Sequence, residues 1–182
     1  MKKRLIMALL MAGFLLTGAT VYAAPFGNPD DVAYAETLWN VLVKFKLAGR
    51  GMINSVPYTG QDPHGAILES LDRNITVNGH TGAVIVKRNY GGKDVSKAAV
   101  ANNPAKYLMA VTVMFKRERG YDPENKDWFW AKFKPDGSLD ANPKGMKLAG
   151  RVAKGMPQGC IACHKAAQGG DYVFGHDRFV DK

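Results

Sequence analysis

The stretch Gly159-Cys160-Ile161-Ala162-Cys163-His164 constrains this chain more than any other. Two thiols separated by two residues, with an imidazole directly after the second, match the attachment site of a c-type haem. Each Cys would add to one vinyl group, and His164 would ligate the iron from one face as its proximal ligand. A chain built for one covalently attached haem c must fold around a large, flat, apolar plate. The alternatives are a structural disulfide, half a zinc site or a thioredoxin-like redox pair. A zinc site needs further Cys or His ligands, but the chain has only two cysteines, and His176 and His164 are too few to complete a set. A redox pair normally belongs to a βαβ pattern, which is missing around this motif.

The chain begins as an export signal does. Met1 to Arg4 is basic, Leu5 to Leu16 is an apolar run, and Val21-Tyr22-Ala23 offers small residues for cleavage. We therefore expect a signal peptide over 1–23, cut after Ala23, and a single domain over 24–182. The apolar run falls short of the roughly 20 residues that a membrane span needs, so no stable membrane anchor is expected after cleavage. A periplasmic or otherwise exported location also suits haem attachment, which in bacteria takes place outside the cytoplasm, where a Cys pair left unused would otherwise tend to oxidise. The formal net charge of +9 includes Lys2, Lys3 and Arg4, so removing the signal, which carries no acid, leaves 9 less 3, or +6. The remaining cations are scattered. They could steer the protein toward an acidic electron-transfer partner, but they form no clustered basic face of the kind nucleic-acid binding needs.

The pattern after the signal is strand-rich. Asp30 and Asp31 are N-cap candidates for an amphipathic helix, in which Val32, Ala35, Leu38, Trp39, Leu42 and Val43 recur at three- and four-residue steps as far as Arg50. Met52 to His64 reads as loop, and Gly65 to Leu71 as a short strand or helical turn. Asn74 to Val77 reads as a further short strand before the turn signal Asn78-Gly79. Ala83 to Tyr90 is a β-branched strand ended by Gly91-Gly92. Alternation puts Ala83, Ile85 and Lys87 on one face and Val84, Val86 and Arg88 on the other. Lys87 then either snorkels to water from a strand end or faces whatever the strand encloses.

A polar segment from Lys93 to Pro104 leads to a strand over Tyr107 to Phe115, apolar on both faces. Trp128 to Phe133 is the next strand, closed by Pro135-Asp136-Gly137. Ser138 to Gly159 reads as a long ordered loop along the edge of the cofactor. The fold class expected is α+β: a mainly antiparallel sheet with an N-terminal helix and the haem motif at the C-terminal end.

The face of the iron opposite His164 decides what such a protein does. A Met ligand there favours electron transfer, whereas an open pocket favours binding or turning over a small molecule. Met146 and Met156, in the Gly-rich loop, are candidate ligands, as are His64, His80 and His176 in polar loops. Tyr107, Phe115, Trp128, Phe129, Trp130, Phe133, Tyr172 and Phe174 could wall a haem or simply pack a core.

Four blocks in this order resemble the cytochrome P-460 family, which includes the cytochromes c′-β. They are Gly82-Ala-Val-Ile-Val-Lys87, then Asp127-Trp-Phe-Trp130 before Asp136-Gly137, then Cys160-Ile-Ala-Cys-His164, and finally Asp171-Tyr-Val-Phe174. The resemblance implies a mainly antiparallel β fold, often as a homodimer. It also implies a c-type haem with His164 proximal and an open or aromatic-capped distal side. In the P-460 enzymes a lysine forms an extra covalent bond to the porphyrin rim, and the matching position is Lys87. Those enzymes oxidise hydroxylamine, whereas c′-type relatives bind nitric oxide. The resemblance also implies a carboxylate a few residues before the motif, but Ala141 to Gly159 contains no Asp or Glu. Gly155 stands near the expected place, so a base there would require an acid such as Asp136 or Asp140 to fold in. The function expected is an exported mono-haem cytochrome that binds or oxidises small nitrogen compounds at an open distal site. The alternative is a periplasmic electron carrier with Met146 or Met156 as sixth ligand.

Overall fold

The computed structural model describes residues 26–174. The expected signal segment and His176 lie outside the described residues. Helix α1 spans Pro29–Lys44 and is capped by Asn28, whose side chain accepts from the Asp31 amide at 2.9 Å. Asp30 and Asp31 therefore lie in the first turn, where acidic groups favour the positive end of the helix, and are not its cap. The helix also ends before Arg50. Ala35, Leu38 and Leu42 form its buried stripe.

Six antiparallel strands follow in simple meander order: β1 (Tyr58–Thr59), β2 (Ile67–Val77), β3 (His80–Tyr90), β4 (Leu108–Lys116), β5 (Trp128–Phe133) and β6 (Ala149–Gly150). The two short segments expected on either side of Arg73 are one continuous strand, β2. Its polar, exposed centre hides that continuity from a hydrophobicity pattern, and pairing with β3 along its whole length supplies it. Asn78 and Gly79 both take positive φ, 48° and 81°, as the tight hairpin between β2 and β3 requires. The polar segment before β4 contains two short helices not anticipated from sequence, α2 (Lys97–Asn102), capped by Ser96, and α3 (Pro104–Tyr107), capped by Asn103. Among the described residues no helix is long and apolar enough to cross a membrane.

The period of two along β3, β4 and β5 gives the sheet two distinct faces. On one, Val84, Val86, Val111, Val113, Phe115, Phe129 and Phe133 pack with Leu38 and Leu42 of α1. On the other, the register aligns Ile85 with Met114 and Trp130, and Lys87 with Thr112 and Lys132. Phe115, Phe129 and Phe133 therefore build the helix-side core and do not wall the second face, while Tyr107 joins a third cluster with Ile67, Tyr90 and Val100.

Arg88 is fully buried on the helix side and closes that core at its polar end. Its guanidinium donates to the carbonyls of Leu47 and Ile53 and to Glu69 Oε2 at 3.0 Å, and Glu69 Oε2 also accepts from the Tyr90 hydroxyl at 2.6 Å. Removing one partner of such a pair leaves the other charge buried and uncompensated, at a cost of about 3 to 5 kcal/mol. Arg88→Met should lower unfolding stability by about that amount, and Arg88→Met with Glu69→Gln by clearly less. Urea unfolding followed by circular dichroism checks this; equal losses in the two proteins would mean that the charge pair is not what holds this corner.

Candidate functional site

The second face of the sheet forms one wall of a cavity of about 590 Å³, within the range expected of cofactor sites. Ile85, Lys87, Thr112, Met114, Trp130 and Lys132 come from β3, β4 and β5. Leu148, Val152, Pro157 and Gln158, from the long loop after β5, close one edge, and that loop also contains the short strand β6. Asp62, Pro63 and His64, from the loop before β2, close another. The roof carries the motif: Gly159, Cys160, Ala162, Cys163 and His164 all line the cavity.

The motif forms helix α4 (Cys160–His164), only about one turn long. So short a helix has no stability of its own, and its neighbours position it. Ile161 inserts into a cluster with Met114, Trp128, Trp130, Val152 and Tyr172. Gly159, immediately before the helix, has φ 129°, and a Cβ there would collide with the Ala153 side chain.

His164 is buried and its ring is oriented from behind. Its Nδ1 lies 2.7 Å from the Tyr172 carbonyl, which can only accept, so Nδ1–H donates and Nε2 of the neutral ring is left without a proton. Such a bond to a carbonyl fixes both tautomer and ring direction of a metal-binding imidazole. The Tyr172 carbonyl is fixed in turn: Tyr172 is buried with φ 65°, and the indole N–H of Trp128 donates to the preceding carbonyl of Asp171 at 3.0 Å. Trp130 and Phe174 stand edge-on to the imidazole, with ring centres 4.9 and 5.3 Å away. Burial first, and the Lys87 charge after it, hold His164 below the ordinary imidazole range against the opposing Tyr172 bond. The ring is therefore neutral at physiological pH, as a ligand must be.

The residues suit a covalently held haem. Cys160 and Cys163 are both free thiols beside the buried imidazole. Trp130 lines the cavity, and among the described residues its buried indole N–H has no acceptor. Among the described residues there is no cluster of three or more His, Cys, Asp or Glu able to hold a bare metal ion.

Lys87 lies mid-strand and is only 9% exposed, so it does not snorkel from a strand end. Met146 packs beside the motif cluster and Met156 is half exposed, and neither lines the cavity. His80 is also elsewhere, its Nε2 near the Lys116 carbonyl at 3.1 Å. His64 does line the cavity, with Nδ1 3.3 Å from Thr112 Oγ1. Burial, then the positive charge of Lys87, push it down to about 4, so it too is a neutral imidazole. Neither Asp136 nor Asp140 folds into the cavity: Asp136 accepts from Ser138, and Asp140 pairs with Lys132 at 3.0 Å. The acid on the cavity wall is instead Asp62, which no sequence signal distinguished from any other loop aspartate.

A family model for cytochrome P460 matches residues 71–175, more than half of the chain. The chain is also 31% identical over 117 residues to a flagellar P-ring protein of Aquifex aeolicus (strain VF5), a match covering 59% of this chain and 32% of that protein. The chain thus spans about a third of that relative's length. No solved structure matches.

Gly159→Ala places a side chain where the backbone is left-handed and the Ala153 methyl already sits. It should cost more than about 1 kcal/mol and lower the yield of protein carrying attached haem. Thermal unfolding and haem content measured on the same preparation check this, and an unchanged variant would show that the helix entry is not constrained.

Proposed function

Because this chain belongs to the cytochrome P460 family, we propose that its cavity is a c-type haem site at which small nitrogen compounds, hydroxylamine or nitric oxide, bind the iron. One observation carries the reading: two free thiols, a buried imidazole with its outer nitrogen left bare, and the buried Lys87 all converge on one cavity. Cys160 and Cys163 would form the thioethers, His164 would ligate the iron, and Lys87 would lie against the porphyrin. When bound, the haem supplies a redox-active iron with a coordination position away from His164.

The remaining work falls to this chain's own residues. The Tyr172 carbonyl keeps the Nδ1 proton of His164 and so maintains it as a ligand. The loop residues Leu148 and Val152, with Trp130, form apolar wall and limit water. A substrate that loses protons on oxidation needs a base within reach directly or through one water. Asp62 and His64 are the groups on the cavity wall able to take that part, in place of the absent carboxylate before the motif. Electrons would leave to a partner protein, and haem attachment would take place after export. Electron transfer with a methionine ligand fits less well, since neither Met146 nor Met156 reaches the cavity wall.

The test uses the exported holoprotein made with the haem-attachment machinery. The denatured chain should stain for haem on a gel, Cys160→Ser with Cys163→Ser should abolish the stain, and nitric oxide or hydroxylamine should shift the Soret band of the native protein. A wild-type chain without stain sinks the haem-attachment reading. A haem-bearing chain whose spectrum ignores both compounds sinks the assignment to nitrogen ligands.

A further inference from the structure

We infer that His64 is the second axial ligand of the haem iron, closing the distal position at rest, so that a small ligand enters only by displacing it. The inference rests on the haem reading above. Two imidazoles bound on opposite sides of one metal through nitrogens at about 2.0 to 2.1 Å, each ring centre a little over ~1 Å behind its nitrogen, have ring centres about 6 Å apart. The ring centres of His64 and His164 are 6.0 Å apart, with the planes at 83°. Both rings line the same cavity, and no hydrogen bond joins them. The spacing is thus not that of two histidines bonded to each other.

The tautomers also fit. Thr112 Oγ1 lies 3.4 Å from both the Lys87 carbonyl and Asn89 Oδ1, acceptors to which its hydroxyl proton can go. Its oxygen is then left to accept Nδ1–H from His64 at 3.3 Å. That bond leaves Nε2 of His64 bare, just as the Tyr172 carbonyl leaves Nε2 of His164 bare. Each imidazole is held from behind through Nδ1, one by the sheet and one by the chain after the motif. The two supports differ in strength. His164 is bonded at 2.7 Å and enclosed by the motif cluster, whereas His64 comes from a loop, is only half-buried and has the longer 3.3 Å contact. His64 is therefore the ligand that yields.

The test compares wild type, His64→Ala and Thr112→Val holoproteins by absorption and electron paramagnetic resonance in the ferric state, with haem content measured on each. Wild type should be six-coordinate and low-spin. His64→Ala should retain a full complement of haem but become high-spin, and added imidazole should restore the low-spin spectrum. Carbon monoxide should bind the ferrous variant at least ten-fold faster than wild type. Thr112→Val should stay low-spin at neutral pH with faster carbon monoxide binding. A haem-replete wild type that is high-spin, or low-spin with a spectrum unchanged by His64→Ala, overturns the assignment of His64 while leaving the haem reading intact. A chain that takes up no haem overturns both.

Discussion

Side-chain alternation along three neighbouring strands is the constraint on which the rest of this molecule depends. In β3, β4 and β5, odd and even residues must point to opposite sides of one sheet, so each strand contributes to two environments at once. One set, with Val86, Phe115 and Phe129 among it, buries against α1 and supplies most of the apolar core. The other set, Ile85 and Lys87, Thr112 and Met114, Trp130 and Lys132, becomes a cavity wall. A slip of one residue in the register would move Lys87 into the helix-side core and Val86 into the site, so the fold and the site are specified together.

The adjacent cations Lys87 and Arg88 show what this arrangement demands. Both are buried, on opposite faces, and burial of a charge is costly unless it is compensated. Arg88 finds carbonyls and Glu69 on the helix side and serves the fold. Lys87 faces the cavity, where its charge helps to hold His64 and His164 as neutral imidazoles. The motif helix, too short to stand alone, depends on this same face through Ile161, Met114 and Trp130. Trp128 on β5 reaches the chain beyond the motif and steadies the carbonyl that orients His164.

Much of this was legible in the sequence where local chemistry dictates local structure. The motif residues line one cavity, Trp128 to Phe133 has the bounds read from its composition, and Asn78-Gly79 makes the hairpin its turn preference implies. The strand carrying Lys87 could be recognised, and its alternation already placed Lys87 with Ile85. What could not be read depends on tertiary pairing. The exposed middle of β2 breaks the apolar pattern, and only its pairing with β3 shows it to be one strand. The aromatic residues could not be divided between core and site until the register was known. His64 could be named only as one of three candidate histidines and Asp62 not at all, because an ordinary loop brings them to the cavity from about a hundred residues before the motif.

The most direct test of the account is an anomalous difference map collected at the iron edge from crystals of the holoprotein. A single iron peak should lie in the cavity bounded by β3, β4 and β5, bonded to Nε2 of His164, with continuous density from Cys160 and Cys163 to one porphyrin. An iron not bonded to His164, or a cavity without iron in protein that carries haem, would contradict it.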